Sequence, residues 1–541
     1  MIVHILASIA FPFASTVQAQ TIDALVVNTT AGAFRGVAVA NGTERWLGIP
    51  FVQPPLGELR FKAPVAIVEP AEGVRNATSF GNACPQPPAA SLGAPVGESC
   101  LFLNVWRPAG TAPDAELPVL FWIHGGFWMT GASSDHAFDP TRIIQRSVNT
   151  SQPIIFVSAN YRLNTFGFLA STNVDGADLN AGFLDTKAAL EFVQDNAAAF
   201  GGDPSKVTIW GQSAGGGTVE TQVLYASGRP LFRGAIMDSS SGPFKTSPTP
   251  DVYDRPNGTY TLLTTAVGCP TSGPASLACL QNATFDSLMN ASNVMIQSTL
   301  NEQIWEPAVG PPGTFLPERS SARIASGNFS HVPLIAGSNL NDGSIFATSL
   351  RNKNLTGAAQ DSAFDAFVLA SLIDTTQVTP DVLAKLHAVY PENDTSLGAP
   401  FNTGDSLFDR GSAFYGDDAY TASRRRFLGS ASGLQKTWGY FFKEFLPGGN
   451  PGLGVPHGSE LGLLFGPVQA AEELEFANTF LDFYLNFIND LDPGSAWSLY
   501  TPENKQVLQL MRGNTTMIPD DFFSERLDLL NSQQVLDAFE R

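Results

Sequence analysis

The stretch that decides the fold runs from residue 200 to residue 217 and reads FGGDPSKVTIWGQSAGGG. Its apolar and β-branched residues, Val207 to Trp210, predict a buried strand. The strand leads directly into Gly211-Gln212-Ser213-Ala214-Gly215, a G-x-S-x-G pattern that is typical of a sharp turn between a strand and a helix. Small residues beside Ser213 let the strand and the helix approach closely, so the turn would present the serine hydroxyl above the sheet. Such a short pattern also arises by chance in a glycine-rich chain, so other segments must support this interpretation.

Strand and helix patterns alternate on both sides of this turn. Apolar runs that predict buried strands occupy residues 117–126 (LPVLFWIHGG), 153–163 (PIIFVSANYRL) and 232–240 (FRGAIMDSS). Residues 184–202 carry apolar side chains at helical spacing and end in two glycines. This alternation predicts an α/β fold with a large, mostly parallel central sheet and helices on both faces.

The N-terminal part of the chain follows a different pattern. Residues 32–51, GAFRGVAVANGTERWLGIPF, alternate apolar and polar side chains around Asn41-Gly42, which predicts a small β-hairpin region. Apolar strand patterns return at residues 332–339 and 436–442, within a more helical final third. No linker, repeat or long charge run divides the chain, so we expect a single domain from residue 20 to residue 541.

The charge balance excludes one class of partner. The 541 residues include 50 acidic and 30 basic side chains, which gives a formal net charge of −20. Such a surface repels phosphate backbones, so no nucleic-acid partner is expected. The one basic cluster, Arg424-Arg425-Arg426, is too short for a nucleic-acid footprint, and we expect it on a solvated helix face.

Several features predict export. Residues 1–19 combine an apolar stretch, Ile2 to Phe13, with small residues before Gln20, as in a cleaved signal peptide. That stretch is too short to span a membrane and no later segment has the roughly 20 apolar residues required, so we expect no stable membrane insertion. We therefore expect a secreted, extracellular glycoprotein. Asn-x-Ser/Thr sequons, which predict surface loops, occur at Asn28, Asn41, Asn76, Asn149, Asn257, Asn282, Asn290, Asn328, Asn354, Asn393 and Asn514.

The four cysteines fall into two close pairs along the chain. A secretory route permits disulfides, and four cysteines allow three pairings. We favour Cys84 with Cys100 and Cys269 with Cys279, because each bond would then close one short loop. A zinc site is the alternative, but no C-x-x-C motif or histidine cluster accompanies the cysteines. We expect neither a metal nor a cofactor.

The chemistry of Ser213 depends on distant partners. A serine hydroxyl is a weak nucleophile until a base accepts its proton and a third group orients that base. At turns of this type the acid follows the serine and the histidine follows the acid. Of the six histidines, His331, His387 and His457 follow Ser213, and only His457 lies in a glycine-flanked loop, GVPHGSELGLLFG. Asp342 follows a predicted strand at the right point, although an Asp before Gly is more often only a turn residue.

Eight motifs follow one another along the chain, at residues 46–61, 97–108, 122–131, 160–169, 180–190, 200–215, 337–346 and 457–466. In this order they resemble the type-B carboxylesterase family, which contains cholinesterases, animal carboxylesterases and fungal lipases. The resemblance runs from about residue 24 to the C-terminal helices, and chance does not produce so many motifs in one order. Three positions depart from the family pattern: Ser99 replaces the usual Asp, Asp342 stands where Glu is commoner, and Phe127 replaces a third glycine.

The resemblance implies a role for each candidate site residue. Ser213 is then the nucleophile, His457 the base and Asp342 the acid that orients it. The oxyanion hole, a set of N–H groups that stabilises the negative carbonyl oxygen, would use the backbone of Gly126, Phe127 and Ala214. The family pattern also implies two structural ion pairs, Arg60 with Glu98 and Arg162 with Asp185.

The resemblance finally bears on the substrate. In the lipases of the family, the loop closed by the first disulfide is a long amphipathic lid, whereas residues 85–99 here, PQPPAASLGAPVGES, are short and rich in proline. We therefore expect a secreted serine hydrolase for small-molecule or lipid esters, which favours apolar or aromatic substrates and shows little activation at lipid interfaces. A lipase or sterol esterase for long-chain esters is the alternative, and a non-catalytic binding homologue is the remote one.

Overall fold

The computed structural model of the chain describes residues 25–226, 228–240, 242 and 246–541. The predicted signal peptide, residues 1–19, lies outside the described residues. Two β-sheets form the framework of the described part. Its strands are β1 Val26–Thr29, β2 Gly32–Arg35, β3 Val37–Val39, β4 Thr43–Pro50, β5 Ala71–Asn76, β6 Phe102–Pro108, β7 Leu117–Ile123, β8 Ile155–Ala159, β9 Gly202–Gln212, β10 Gly234–Asp238, β11 Leu334–Asn339, β12 Thr437–Phe442, β13 Gln506–Leu510 and β14 Thr516–Pro519.

The larger sheet has eleven strands among the described residues, in the order β14-β13-β12-β11-β10-β9-β7-β8-β6-β4-β3. All neighbouring pairs from β13 through to β8 are parallel. The pairs at both ends of this block are antiparallel. The predicted N-terminal hairpin is β3 and β4, which extend this sheet, while β1, β2 and β5 form a small separate sheet. The expected α/β fold class is confirmed.

Helices follow most of the parallel strands. Between α12 and α13 the chain makes one π-helical turn, Asp417–Thr421. The α-helices are α1 Thr141–Asn149, α2 Asn164–Phe168, α3 Ala181–Asn196, α4 Ala214–Tyr225, α5 Asp251–Asp254, α6 Thr259–Ala266, α7 Pro274–Asn282, α8 Phe285–Gln297, α9 Ser320–Ser326, α10 Ala358–Ala370, α11 Pro380–Val389, α12 Ser406–Gly416, α13 Ala422–Ala431, α14 Leu461–Leu464, α15 Leu474–Asp490, α16 Ser524–Leu530 and α17 Gln533–Ala538.

Both faces of the sheet are buried, as the continuous apolar strands require. Along β7, Val119, Phe121 and Ile123 pack into one core with residues of α3 and α4. The alternate side chains, Leu120 and Trp122, pack into a second core with residues of α1 and α15. Side chains on a strand point alternately to its two faces, so helices cover both. The carboxyl ends of the parallel strands are then the open edge where loops can build a site.

The predicted covalent and ionic contacts are present. Disulfides join Cys84 to Cys100 and Cys269 to Cys279, so the pairing expected from sequence spacing is confirmed. The Arg60 Nη2 atom donates to Glu98 Oε2 at 2.8 Å. The buried Arg162 guanidinium donates to both carboxylate oxygens of Asp185 at 2.7 Å.

The prediction for the Arg424-Arg425-Arg426 cluster was wrong. Arg424 is only 3% exposed and donates to the buried Asp520 at 2.7 Å. Arg425 donates to the same carboxylate at 3.1 Å. Burial lowers the pKa of Arg426 to about 10, which reflects an inward-facing side chain. The arginines of α13 therefore belong to an internal charge network. The local sequence pattern did not indicate this, because Asp520 lies almost one hundred residues further along the chain.

Candidate active site

Ser213 lies at the sharp turn between β9 and α4. Its backbone angles, φ 62° and ψ −128°, belong to a region that L-residues rarely occupy. The neighbouring glycines make this turn possible: a Cβ at Gly215 would lie 2.0 Å from the Ile123 carbonyl oxygen, and one at Gly211 would lie 2.3 Å from Gly215. The Ser213 N–H donates to the Asp238 carbonyl at 2.9 Å, which fixes the turn to β10. The strand, turn and helix predicted from residues 200–217 are therefore present, with the serine at the turn.

Asp342 lies just after β11, at the same edge of the sheet. The Asp342 side chain is only 1% exposed. The Asn339 N–H donates at 2.6 Å, and the Ser239 hydroxyl lies 3.0 and 3.1 Å from the two oxygens. The Nδ1 atom of His457 lies 2.9 Å from Oδ1. A carboxylate has enough lone pairs to accept from all three of these groups.

His457 lies in the loop that follows β12. Because Nδ1 donates to Asp342, the neutral imidazole carries its proton there and Nε2 is left as an acceptor. Nε2 lies 3.1 Å from the side-chain amide nitrogen of Gln212. Among the described residues, no hydrogen bond joins His457 to Ser213. The structure thus brings Ser213, Asp342 and His457 together at one sheet edge, with the Gln212 amide on the nitrogen that would face the serine.

Two aromatic rings hold the imidazole in place. Tyr420, in the π-helical turn, stacks on it with ring centroids 4.6 Å apart and an interplanar angle of 26°. Burial raises the pKa of Tyr420 well above its usual value. Phe346 packs against another side of the imidazole at 5.2 Å. Tyr420 and Phe346 therefore both pack against the histidine ring.

Glu460 connects the loop that carries His457 to the end of β11. This side chain is fully buried and accepts a hydrogen bond from Asn339 Nδ2 at 2.5 Å. Burial raises the pKa of Glu460 to about 8, and the charges of Asp238 and Asp342 act in the same direction. Asn339 also donates its backbone N–H to Asp342, so one residue at the end of β11 fixes both the acid and the histidine loop.

The predicted oxyanion loop follows β7 and lies over the serine. A Cβ added at Gly125 would come within 2.9 Å of the Ser213 Cβ, so only glycine allows this approach. Gly126 and Phe127 both have positive φ, 107° and 58°, and the Gly126 carbonyl accepts from Met129 at 2.9 Å. The structure therefore places the Gly126–Phe127 turn beside Ser213 and the start of α4, where Ala214 lies.

Two polar side chains fix this loop from outside. Gln86, in the loop between Cys84 and Cys100, donates to the Gly131 carbonyl at 2.7 Å and accepts from the Gly131 N–H at 2.8 Å. Asn164 donates to the Met129 carbonyl at 3.0 Å and to the Pro85 carbonyl at 2.6 Å. The first disulfide loop and the oxyanion loop are thus joined by hydrogen bonds.

This coupling predicts a kinetic effect of Gln86→Leu. The substitution leaves the Gly131 N–H and carbonyl without their partner in a buried place, so the oxyanion loop should shift. Since misplacement of about 1 Å can cost a factor of about a hundred, we expect kcat to fall roughly ten- to hundredfold with little change in KM. Steady-state kinetics with p-nitrophenyl acetate measures kcat and KM for the variant and the wild type. An unchanged kcat would mean that the loop is held without Gln86.

Some aromatic residues near the site belong to the hydrophobic cores, and others line the site. Trp128 and Trp210 are 0% and 1% exposed and belong to the two cores. The Phe127 ring packs edge-on against Phe346 at 5.1 Å, and Phe346 in turn packs against Tyr415 at 4.8 Å. The side chain that replaces the third glycine therefore forms part of the wall beside the histidine.

The remaining described histidines lie elsewhere or have structural contacts. His124 stacks on Tyr161 at 4.6 Å, and burial lowers its pKa to about 4. His331 contacts the Gly327 carbonyl at 3.0 Å, and His387 contacts Asp365 at 2.6 Å. Sequence reasoning missed Gln212, Tyr420 and Gln86, since their contacts to the site depend on the folded chain; only the position of Gln212 beside the serine was a signal.

The fold and this cluster define the class of the protein. A parallel sheet with a strained serine turn, followed in the chain by an acid and then a histidine at the same edge, is the arrangement of the α/β-hydrolases. No helix in the described part of the chain is both long and apolar enough to cross a membrane.

Comparisons with known proteins give the family. The sequence profile of the carboxylesterase family matches residues 23–529. The chain is 34% identical to secreted lipase 1 of Botryotinia fuckeliana (strain B05.10), over 90% of this chain and 89% of that one, and 35% identical to lipase 4 of Diutina rugosa, over 87% and 88%. The crystal structure of Aspergillus niger EstA superposes with a TM-score of 0.80 at 26% identity, covering 95% of this chain and 99% of that one. The chain belongs to the carboxylesterase family and is a carboxylic ester hydrolase.

Proposed function

We propose that this protein is a secreted serine esterase in which Ser213 is the nucleophile, His457 the general base and Asp342 the group that orients it. One observation carries the proposal: the buried Asp342 carboxylate accepts from His457 Nδ1 at 2.9 Å, directly beside the strained turn that presents Ser213. This contact fixes the imidazole tautomer whose free Nε2 can accept the serine proton.

The reaction follows from this geometry in two halves. Ser213 Oγ attacks the ester carbonyl carbon while His457 Nε2 takes the hydroxyl proton, and the carbonyl oxygen becomes negative. The tetrahedral intermediate expels the alcohol, which receives that proton from His457 and leaves an acyl-Ser213 ester. Water then repeats the sequence: His457 takes its proton, the hydroxide attacks, and the carboxylic acid leaves as Ser213 regains its proton.

The negative oxygen needs donors that are already in place. We assign this role to the N–H groups of Gly126, Phe127 and Ala214, which stand in the turn beside Ser213 and at the first residue of α4. Each such donor contributes about 3 kcal/mol to transition-state stabilisation when its removal is measured in other hydrolases. The positive φ values at Gly126 and Phe127 support this assignment, because they turn successive N–H groups toward one side.

The proposal is tested by two measurements on the purified secreted protein. We expect hydrolysis of p-nitrophenyl esters and covalent labelling of Ser213 by a fluorophosphonate, which reacts only with activated serines. A protein that hydrolyses no ester and takes no label would instead be a non-catalytic binding homologue.

The walls of the site favour apolar or aromatic esters. Phe127, Phe346, Tyr415 and Tyr420 form a connected set of rings that reaches His457. Rings of this kind bind flat or apolar acyl groups well. We therefore propose that the enzyme prefers such esters.

The second candidate is a lipase, because the relatives named above include lipases. The loop of residues 85–99 argues against a mobile lid: Leu92 is 4% exposed and packs with Ala83 and Ala132, and its carbonyl accepts from the Ser134 hydroxyl at 2.5 Å. Gln86 ties the start of the same loop to Gly131. A loop pinned at several points is poorly suited to opening at a lipid surface.

This pinned loop predicts the absence of interfacial activation. We expect the hydrolysis rate of tributyrin to follow a smooth saturation curve through its solubility limit, because no segment has to open there. Rates with p-nitrophenyl esters from acetate to palmitate, triolein and methyl ferulate would give the acyl preference in the same experiment. A rate increase above about tenfold when emulsion droplets appear would favour the lipase instead.

Export is supported by the positions of the sequons. Every asparagine of an Asn-x-Ser/Thr sequon is exposed, whereas several other asparagines, including Asn104, Asn160 and Asn339, are buried. We propose that residues 1–19 are removed during secretion and that glycans occupy these surface positions. N-terminal sequencing of the secreted protein, together with a mass decrease after endoglycosidase treatment, tests both statements.

A further inference from the structure

We propose that Gln212 is a positioning residue whose amide donates to His457 Nε2 in the free enzyme and so favours the neutral imidazole. When an ester binds, the Ser213 hydroxyl replaces the amide at Nε2. The inference rests on the proposed function, and it assigns a role to a side chain outside the three catalytic residues. The observation behind it is the 3.1 Å contact between the Gln212 amide nitrogen and His457 Nε2, the nitrogen that must accept the serine proton.

The other hydrogen bond of His457 determines which atom is the donor in this contact. Asp342 can only accept, so His457 Nδ1 carries the proton and Nε2 presents a lone pair. The atom of Gln212 that faces this lone pair must therefore be the donating amide nitrogen rather than the oxygen. The contact exists only while Nε2 is unprotonated. It therefore stabilises the neutral imidazole, the form a general base needs.

The packing around Gln212 keeps its amide in this place. The residue is 6% exposed and is the last residue of β9, directly before Ser213. Glycines flank its side chain: a Cβ at Gly125 would lie 3.3 Å from Oε1, and one at Gly458 would lie 3.5 Å from Nε2. Gly458 follows His457 in the chain, so the Gln212 amide lies between the loop of Gly125 and the histidine loop.

The other groups around His457 contact parts of the imidazole other than Nε2. Three titratable side chains lie on the elements around the imidazole. Asp342 contacts Nδ1 and Tyr420 stacks on the ring, while Glu460, three residues further along the same loop, accepts from Asn339. Phe346 closes one side with an apolar ring. Tyr420 and Phe346 thus contact the imidazole ring, whereas the Gln212 amide contacts its Nε2 atom.

Catalysis then requires an exchange of partners. Gln212 and Ser213 are adjacent residues, so a small movement of the imidazole or of the serine side chain moves Nε2 from the amide to the hydroxyl. Proton transfer from Ser213 to Nε2 then breaks any remaining contact with the amide, because a protonated Nε2 has no lone pair left to accept a hydrogen bond. Gln212 therefore acts on the free enzyme and much less on the enzyme–substrate complex.

This difference makes the inference testable by pH–rate profiles. The acid limb of kcat/KM reports the base of the free enzyme, and that of kcat reports the base of the complex. Gln212→Met removes the donor at similar volume. Since one hydrogen bond is worth about 1 kcal/mol, we expect the acid midpoint of kcat/KM to rise by roughly 0.5–1 pH unit. The midpoint of kcat should stay within about 0.3 unit of wild type.

A second variant gives the opposite chemistry at the same size. Gln212→Glu places a group that only accepts beside Nε2, and it therefore stabilises the protonated imidazole. We expect the acid midpoint of kcat/KM to rise by more than about one pH unit. Activity near about pH 5 should then fall at least tenfold, while activity at alkaline pH changes little. Gln360→Met is the matched control: Gln360 is also buried and donates to the Leu355 carbonyl, but it lies on α10, away from the site.

The outcomes separate this inference from the proposed function. If Gln212→Glu leaves the midpoint unchanged, or both variants lower the rate equally at every pH, Gln212 has only a structural role and the inference is overturned. Equal shifts of kcat and kcat/KM in Gln212→Met would overturn the partner exchange. Failure of the proposed function looks different, because wild-type protein would then neither hydrolyse esters nor take the fluorophosphonate label.

Discussion

Replacing Ser213 with alanine is expected to lower kcat for p-nitrophenyl acetate about a million-fold. The substitution removes one oxygen atom, and without it the Asp342–His457 pair has no hydroxyl to activate. The remaining activity comes from the attack of water, assisted by the oxyanion donors and by substrate binding. In other serine hydrolases this remaining rate is low. Steady-state kinetics measures the loss, and fluorophosphonate labelling should disappear with it. Activity near the wild-type value would identify another nucleophile.

The same position allows a control that separates catalysis from folding. Ser213 has φ 62° and ψ −128°, a conformation that costs residues other than glycine on the order of 1–3 kcal/mol. Ser213→Ala keeps this strain and should unfold at nearly the wild-type temperature. Ser213→Gly relieves it and should unfold at a temperature no lower than Ser213→Ala, while being equally inactive. A glycine variant that unfolds clearly earlier would show that the turn stores no strain.

The local sequence predicted the serine turn and the histidine, because their positions depend on neighbouring residues in the chain. The run from Val207 to Gln212 forms β9 and ends at the serine turn, because apolar β-branched residues followed by small ones fit a buried strand and a tight turn. His457 followed from elimination among six histidines and from its glycine-flanked loop. Asp342 was different: only the family resemblance raised it above the many aspartates that precede glycine in ordinary turns.

The parts that could not be predicted depend on long-range packing. Gln212 and His457 are 245 positions apart, and Gln86 and Gly131 are 45 apart. No period or spacing in the sequence connects such pairs, since their contact exists only after the sheet and loops assemble. The error over Arg424–Arg426 has the same origin, because the buried Asp520 that pairs with Arg424 and Arg425 lies 96 positions beyond Arg424.

Replacing Asp342 with asparagine is expected to lower kcat about ten-thousand-fold. The carboxylate is surrounded by donors: His457 Nδ1 at 2.9 Å, the Asn339 N–H at 2.6 Å and the Ser239 hydroxyl. An asparagine has one accepting oxygen and one donating nitrogen, so it cannot satisfy both the Asn339 N–H and the imidazole. If its oxygen faces Asn339, its NH₂ group faces His457 Nδ1 and forces the imidazole proton onto Nε2. The base then has no lone pair for the serine.

Two further variants make this prediction specific. Asp342→Glu keeps a group that only accepts hydrogen bonds, and should retain far more activity than Asp342→Asn despite the roughly 1–3 kcal/mol that an added methylene costs in a tight site. Asp374→Asn changes another buried aspartate, one that accepts from Arg255 at 2.8 Å, and should reduce stability without lowering kcat. The decisive comparison is kcat for Asp342→Asn and Asp342→Glu with one ester at one pH. Equal losses would mean that the volume at position 342 matters and its accepting character does not, and a mild loss in Asp342→Asn would point to a different acid.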